Sequence, residues 1–392
     1  MDILVLTWNY PPRRGGIENV MAHLCAGLAH NHAVSVITAH TMDRSADEKN
    51  VYRGPLAGLL PFALYALMRG ALQLVRNRSP IIFGGSALVT PLVLLLARLF
   101  GRKAVVLVHG LDVIYPSPLY QHLCVRWLRF CDQVIANSSY TAMLAREKGV
   151  VPNSITVIAP GVDSDRFAGA ANDETTEMLG LAGKRVILFV GRLAKRKGVR
   201  EFIAHALPRI VEKIPNACFA VVGANPHASL AHRNDTLGEI RAEIARQGLR
   251  DHVRLLGALS DEALVQLYHA SELVVLPVLA GGDDVEGFGI VLLEAGAAGK
   301  PAVATRVGGI SDAIDDGRSG VLVEAEDHDS MADAVIALLQ DDARRRSMGN
   351  IARRRAQTAF SWAQIVPRYE KLFQSLLAAS VSETAIEQSA RS

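Results

Sequence analysis

The stretch GGDDVEGFGIVLLEAGAAGKP, residues 281–301, spaces two carboxylates, Glu286 and Glu294, with seven mostly small or apolar residues between them. Glu286 lies beside a glycine turn, and Glu294 falls in the first turns of an apolar helical pattern. Acids suit the positive N-terminal end of a helix, so a capped helix is one reading of the pair. The other is chemical: a sugar and ribose site in which each carboxylate holds a hydroxyl or a charge. The turn Gly287-Phe288-Gly289 leads into Ile290, and backbone N–H groups at such a helix start attract phosphate.

Upstream, VILFVGRLAKRKGV (186–199) ends a strand at Gly191 and places Arg192, Lys195, Arg196 and Lys197 within six residues, before Gly198. Cations this dense repel one another unless they are solvated or neutralised by an anion. At the carboxyl edge of a parallel strand the anion is a ligand, and Arg192, through its planar fork, and Lys197, as a point charge, would straddle a diphosphate. Near the start, NYPPRRGGIENV sets Gly15 and Gly16 before a helix, where bare N–H groups admit an anion; a plain turn is the simpler reading. In VHGLDV, His109 ends a strand, where its ring would bond a sugar hydroxyl or a backbone carbonyl, and Asp112 would reach an acceptor. No residues resemble a serine, histidine and aspartate triad. The adjacent Asp283-Asp284 lacks the spaced Asp-x-Asp pattern of a metal-held nucleotide sugar. The four cysteines show no CxxC pair and no metal-ligand spacing with the histidines, and read as reduced and buried. Neither a metal nor a cofactor is expected.

These residues sit at the ends of short apolar runs. Strands are predicted at 3–8, 33–38, 80–85, 104–110, 133–138, 155–161, 186–191, 218–223, 253–258, 273–278, 302–309 and 320–324, with helical patterns between them. Continuous apolar strands separated by amphipathic helices give parallel sheets covered on both faces, hence an α/β protein. The pattern occurs twice, interrupted by the polar segment 165–184. The expectation is an N-terminal Rossmann-like domain over 1–165 and a second over 166–363, with a cleft at the carboxyl ends of the sheets. The segment FSWAQIVPRYEKLFQSLLAA is predicted helical after its proline, with 364–380 packing back on the first domain and 381–392 a disordered tail.

The chain has 392 residues, half of them hydrophobic, enough for two domains of about 150 to 200 residues each. Its net charge of +3 is too small to argue for nucleic acid. Between Leu60 and Val150, however, ten Lys and Arg face three Asp and Glu among long apolar runs. Such a half would dock on an anionic membrane surface, or else consist of buried helices with snorkelling arginines. The longest apolar stretch, 87–100, carries Arg98 and Pro91 and falls short of the roughly 20 residues of a span. MDILVLTWNYPP reads as a first strand rather than a signal peptide. A cytoplasmic protein, peripheral on the inner membrane face, is expected.

Taken together, PPRRGGIENV, HGLDV, VIAPGVDSDRF, GRLAKRKG, EGFGIVLLEAGAAGKPAVAT and the terminal FSW helix resemble the retaining glycosyltransferases of family 4, which have the GT-B fold. Within that family, DVEGFGIVLLEA looks most like the bacterial phosphatidylinositol mannosyltransferases and their relatives, which use GDP-mannose. HGLDV departs from the histidine segment of that subgroup and leaves the acceptor open. The resemblance implies that Gly16 contacts the donor diphosphate and that Arg192 and Lys197 neutralise it as it leaves. It also implies Glu286 beside the hexose, Glu294 on the ribose, His109 near the reaction centre and the loop from Gly257 facing the base. The reaction implied is metal-free transfer of a hexose, mannose first, to a lipid-linked or glycan acceptor. UDP-glucose and UDP-N-acetylglucosamine are the alternative donors.

Three rivals are distinguishable. A nicotinamide-dependent oxidoreductase needs GxGxxG after the first strand and an acid about 20 residues on, which NYPPRRGGIEN does not supply. A nucleotide-sugar epimerase on the same fold would act on donor alone. A non-catalytic membrane-associated binding protein would tolerate loss of Glu286 or Lys197.

Overall fold

The apolar runs form thirteen strands in a computed structural model that describes residues 1–13, 15–41, 49–77, 79–170, 177–224, 235–281 and 285–389, with side chains through 379. Two compact units result, one of residues 1–161 with 362–392, the other of residues 162–361.

The first unit holds β1 (Asp2–Thr7), β2 (Ala33–Thr38), β3 (Val51–Arg53), β4 (Ile81–Gly84), β5 (Lys103–Val108), β6 (Gln133–Ala136) and β7 (Ile155–Val157). They form one parallel sheet in the order β3-β2-β1-β4-β5-β6-β7. The second holds β8 (Arg185–Val190), β9 (Ala217–Val222), β10 (Val253–Gly257), β11 (Leu273–Leu276), β12 (Ala302–Thr305) and β13 (Gly320–Val323), also parallel, in the order β10-β9-β8-β11-β12-β13. Central strands such as Ile3–Leu6 and Ile187–Phe189 are fully buried, which is why they read as unbroken apolar runs. In each sheet the strand order reverses beside the first strand, between β1 and β4 and between β8 and β11. Sheets of this kind bind ligands at the carboxyl ends of the strands flanking that reversal.

Twelve strands match the predicted runs. The thirteenth, β3, is a half-buried edge of three residues paired with β2, too short to show a period.

The terminal helix Trp362–Ser389 belongs to the first unit. It begins before Pro367 rather than after it. Ile365, Val366, Tyr369 and Phe373 are buried on both sides of the proline, so packing outweighs the one backbone hydrogen bond that proline forfeits. Val366 reaches the space a Cβ on Gly27 would fill, and Tyr369 and Phe373 set their rings edge-on to Phe83. The helix continues to Ser389, through most of the segment expected to be disordered. Ala, Ile, Glu and Gln there favour helix, and no glycine or proline interrupts it.

Candidate active site

Two loops leave the second sheet at its reversal, one after β8 and one after β11, and the chain presses them together. Gly198 has a left-handed φ of 68°, and a Cβ there would lie 1.9 Å from the carbonyl oxygen of Pro277. Only glycine meets both conditions. The Leu279 amide then donates to the carbonyl of Arg196 at 2.8 Å. From the loop after β12, the Gly309 amide donates to the carbonyl of Glu286 at 2.9 Å, and a Cβ on Gly308 would lie 2.3 Å from that same oxygen. The backbone of Glu286 is thereby fixed on one side while its side chain faces the basic loop on the other.

Arg196 Nη1 donates to Glu286 Oε2 at 2.8 Å, and Lys197 Nζ donates to the same oxygen at 2.5 Å. All three side chains are largely buried. Burial opposes the charge on Glu286, but Lys197 and Arg196 outweigh it and hold the carboxyl at about 2. Burial lowers the Lys197 ammonium, and Arg196 and Arg192 lower it further against the pull of Glu286. The carboxyl's shift governs the pair, because an ionised glutamate serves two cations at once. Arg192 is exposed and acts on Lys197 from nearby, so three basic side chains stand against one carboxylate.

The adjoining helix, Ile290–Ala297, starts from Gly289 in the left-handed conformation without any side-chain cap. Its first N–H groups face no competing carboxylate of their own, as the Gly287-Phe288-Gly289 turn predicts. Phe288 itself is buried against Phe360, so its contribution is confined to its backbone. One turn along, Glu294 Oε2 accepts from the hydroxyl of Tyr268 at 2.7 Å. Its other oxygen accepts no hydrogen bond among the described residues. Burial raises the Glu294 carboxyl above its ordinary value, and Tyr268 offsets part of that rise. The two glutamates therefore sit in opposite environments, one held ionised by cations and one pushed towards the neutral form by burial. Gly257 ends the edge strand β10, where its carbonyl accepts from the Gly223 amide at 2.8 Å.

At the reversal of the first sheet, Gly15 precedes the helix Gly16–Ala29, which again has no side-chain cap. Glu18, in its first turn, accepts from Asn9 Nδ2 at 2.8 Å. His109 is buried, with Nε2 2.9 Å from the carbonyl of Gly85. A carbonyl can only accept, so Nε2 carries a proton and donates it there. Asp112, expected to reach an acceptor, is engaged by backbone amides. Its two oxygens accept from the amides of His109 at 2.8 Å and Ala87 at 2.9 Å, tying the loops after β4 and β5 together. A carboxylate four residues beyond a strand end more readily captures local amides than a distant ligand.

Sequence reasoning placed Arg196 in the basic loop without a role, and missed Tyr268, whose helical apolar setting reads as plain core. Gly308-Gly309 carried a signal, a glycine pair after a strand. Asp283-Asp284 lies outside the described residues. All four cysteines are free and buried, as expected. Among the described residues no three His, Cys, Asp or Glu side chains stand together as a metal cage, and no helix is long and apolar enough to cross a membrane.

Comparison with known proteins identifies the family. Residues 14–166 match the model of "Glycosyltransferase Family 4", and residues 173–355 match "Glycosyl transferases group 1". The GDP-mannose-dependent alpha-(1-6)-phosphatidylinositol monomannoside mannosyltransferase of Mycolicibacterium smegmatis is 31% identical over 375 residues, 92% of this chain and 95% of that one. The chain belongs to the family 4 glycosyltransferases. A second relative, the D-inositol 3-phosphate glycosyltransferase of Corynebacterium aurimucosum, is 32% identical over 65% of this chain and 61% of its own. Among solved structures, Anabaena HepE in complex with UDP superposes with a TM-score of 0.79 at 21% identity, covering 96% of this glycosyltransferase and 100% of HepE. Sucrose-phosphate synthase from Thermosynechococcus elongatus gives 0.79 at 24% identity, over 96% and 99% of the two chains. The fold is therefore GT-B, as the resemblance implied, its two parallel sheets being those the alternation of strands and helices predicted, and the protein is an enzyme that transfers a glycosyl group.

Proposed function

We propose that this glycosyltransferase moves mannose, with retention at the anomeric carbon, from GDP-mannose to a lipid-linked acceptor. The observation that carries the reading is the Glu286–Arg196–Lys197 cluster beside an uncapped helix start at the reversal of the second sheet. A leaving diphosphate gains charge as its bond to the sugar breaks, and fixed cations with oriented N–H groups in a partly buried place stabilise that charge without reorganising. In this reading Arg192 and Lys197 neutralise the diphosphate, and the backbone of Gly287, Phe288, Gly289 and Ile290 contacts it. Glu286 holds hexose hydroxyls, Glu294 takes the ribose through its unengaged oxygen, and the loop from Gly257 faces the base. On the first unit, Gly15 and Gly16 offer N–H groups to an anion, and His109 Nδ1 accepts from a hydroxyl.

The bond from the anomeric carbon to the phosphate oxygen breaks as the acceptor oxygen attacks from the same face, and the acceptor's proton passes to the departing phosphate. Fixed cations fill the role that a divalent metal fills in other nucleotide-sugar sites. Mannose as the sugar is supported by the GDP-mannose-dependent activity for which a relative aligned along nearly the whole chain is named. The enzyme acts in the cytoplasm as a peripheral protein of the inner membrane face, where a lipid-linked acceptor is met.

Titration calorimetry with GDP, UDP and ADP, and with their sugars, tests this. GDP and GDP-mannose are expected to bind, and Arg192→Ala or Lys197→Ala to weaken binding roughly tenfold or more, the worth of a charge-assisted contact. Absence of binding by every nucleoside diphosphate, or unchanged affinity in both variants, overturns the assignment. Preference for UDP would replace the donor and keep the site.

A further inference from the structure

The second unit opens on a short segment that lies against the Tyr268–Glu294 pair. The Val162 amide donates to the carbonyl of Phe360 at 2.8 Å, and the chain then turns through Asp165–Phe167, where the Arg166 amide donates to Asp163 Oδ1 at 3.2 Å. Phe167 is buried and sets its ring edge-on to Tyr268, with centroids 5.5 Å apart. That contact seats the turn on the helix Asp261–Ala270, which carries Tyr268 near its end. Arg166 reaches the start of the same helix, where Nη2 lies 3.2 Å from Asp261 Oδ1 and donates to the Asp261 carbonyl at 3.2 Å. Two successive side chains thus hold the two ends of one helix.

Asp261 alone does not account for this arginine. It is 79% exposed, water screens such a pair, and acids in the first turn of a helix already suit its positive end. The charge of Arg166 also acts further in. Burial and Asp261 push the Glu294 carboxyl up, while Tyr268 and Arg166 draw it down. The helix Ile290–Ala297 has no Lys or Arg of its own. On the helix Asp342–Ala359, packed against it at Gly296, Arg353 donates to the Ala298 carbonyl at 3.1 Å and Arg355 lies 4.0 Å from Asp315. Lys300 donates to the His269 carbonyl at 2.8 Å. Strands β11 and β12 carry no ionisable side chain, and the short helix Ile310–Ala313 brings Asp312, another acid. Among the described residues Arg166 is therefore the cation that acts on Glu294. We propose that Arg166 is a positioning residue of the ribose site, seated by Phe167 so that it supplies Glu294 with the positive charge that the elements packed on its helix do not bring. The proposal rests on the assignment of Glu294 to the ribose, and its first measurement is made without nucleotide so that either can fail alone.

The titration of Glu294 is followed by NMR in the full chain labelled at its glutamate carboxyls, with Glu294→Gln identifying the signal. Arg166→Gln should raise the pH at which it titrates by roughly one unit, the scale of losing an opposite charge close by. Arg166→Lys should restore most of that shift, and Asp261→Asn, which removes a repelling acid, should move the titration down. Calorimetry over the same pH range then reads the ratio of the dissociation constants of GDP and its 2′,3′-dideoxy analogue, in which titration of the phosphates cancels. Protonation of Glu294 erases the advantage of GDP, so the pH at which that advantage is lost should rise by the same roughly one unit in Arg166→Gln and return with lysine. A titration unmoved in Arg166→Gln, one moved equally by Arg166→Lys, or a shift of the same sign in Asp261→Asn overturns the proposal. A titration that moves as expected, with equal affinity for the two nucleotides throughout, upholds Arg166 as the charge partner of Glu294 and overturns the ribose reading alone.

Discussion

Glu286 answers to two partners, and its ionisation is what lets it do so. Its carboxyl lies at about 2 when folded, against 4.5 as the ordinary value, because Lys197 and Arg196 outweigh its burial. A depressed carboxyl adds stability above its unfolded value and surrenders it as pH falls towards the folded one. The shift corresponds to about 3 kcal/mol before the cost of burying Lys197. The melting temperature of the parent should therefore exceed that of Glu286→Gln at neutral pH, and the gap should close as pH falls from about 4.5 towards 2; a gap independent of pH would mean that the cluster is not an ion pair. At neutral pH the same variant should keep GDP binding and lose kcat by roughly a hundredfold, the scale of removing one transition-state contact. Tyr268 makes a separate demand on Glu294. In Tyr268→Phe the buried carboxyl loses its only side-chain donor among the described residues and rises further, so the dissociation constant for GDP should increase roughly tenfold. A 2′,3′-dideoxy analogue, which offers Glu294 no hydroxyl, should bind parent and variant alike, and equal weakening of both nucleotides would assign Tyr268 to core packing.

Between elements, the contact that matters most is the one Gly198 permits between the loops after β8 and β11. Gly198→Ala combines a left-handed φ with a Cβ 1.9 Å from the Pro277 oxygen, and should cost more than about 2 kcal/mol, read as a lower midpoint in urea together with weaker GDP binding. Swapping Gly183, whose Cβ would meet nothing within 4 Å at a similar φ of 69°, separates conformational strain from the lost contact: it should cost only about 1 kcal/mol. These elements differ in how far sequence betrays them. Parallel strands buried on both faces announce themselves as apolar runs, so the order of strands and helices, the fold and the loops carrying Arg192, Lys197 and Glu286 were all legible. Contacts between loops were not, since nothing local in KRKG says that Lys197 turns inward to Glu286, and Asp112 looked like a ligand group until its neighbouring amides were in place. Pro367 misled for the opposite reason: the rule against helical proline is local, whereas the packing of Val366 and Phe373 that overrides it comes from residues hundreds of positions away.

At the scale of the whole chain, the first unit is discontinuous: residues 162–361 are inserted between its sheet and its last helix. That helix is not an accessory. Phe373 is fully buried, Tyr369 nearly so, and both rings meet Phe83 on β4, while Glu370 lies 3.1 Å from His32 Nε2 and accepts from Asn31 at 3.1 Å. The sheet of the first unit can therefore close its second face only after the second unit has been synthesised, since the covering residues arrive last. Phe373→Ala should remove about 3–5 kcal/mol, the cost of emptying a large buried ring site, and that loss should fall on one unit. Hydrogen exchange followed by fragment mass analysis would read it directly. Amides of β1, β4 and the helix Gly16–Ala29 should exchange faster in the variant, while those of β8, β9 and β11 keep their protection. Equal loss of protection in both sets would show instead that the inserted unit cannot hold its structure without the first, so that the chain unfolds as one cooperative body.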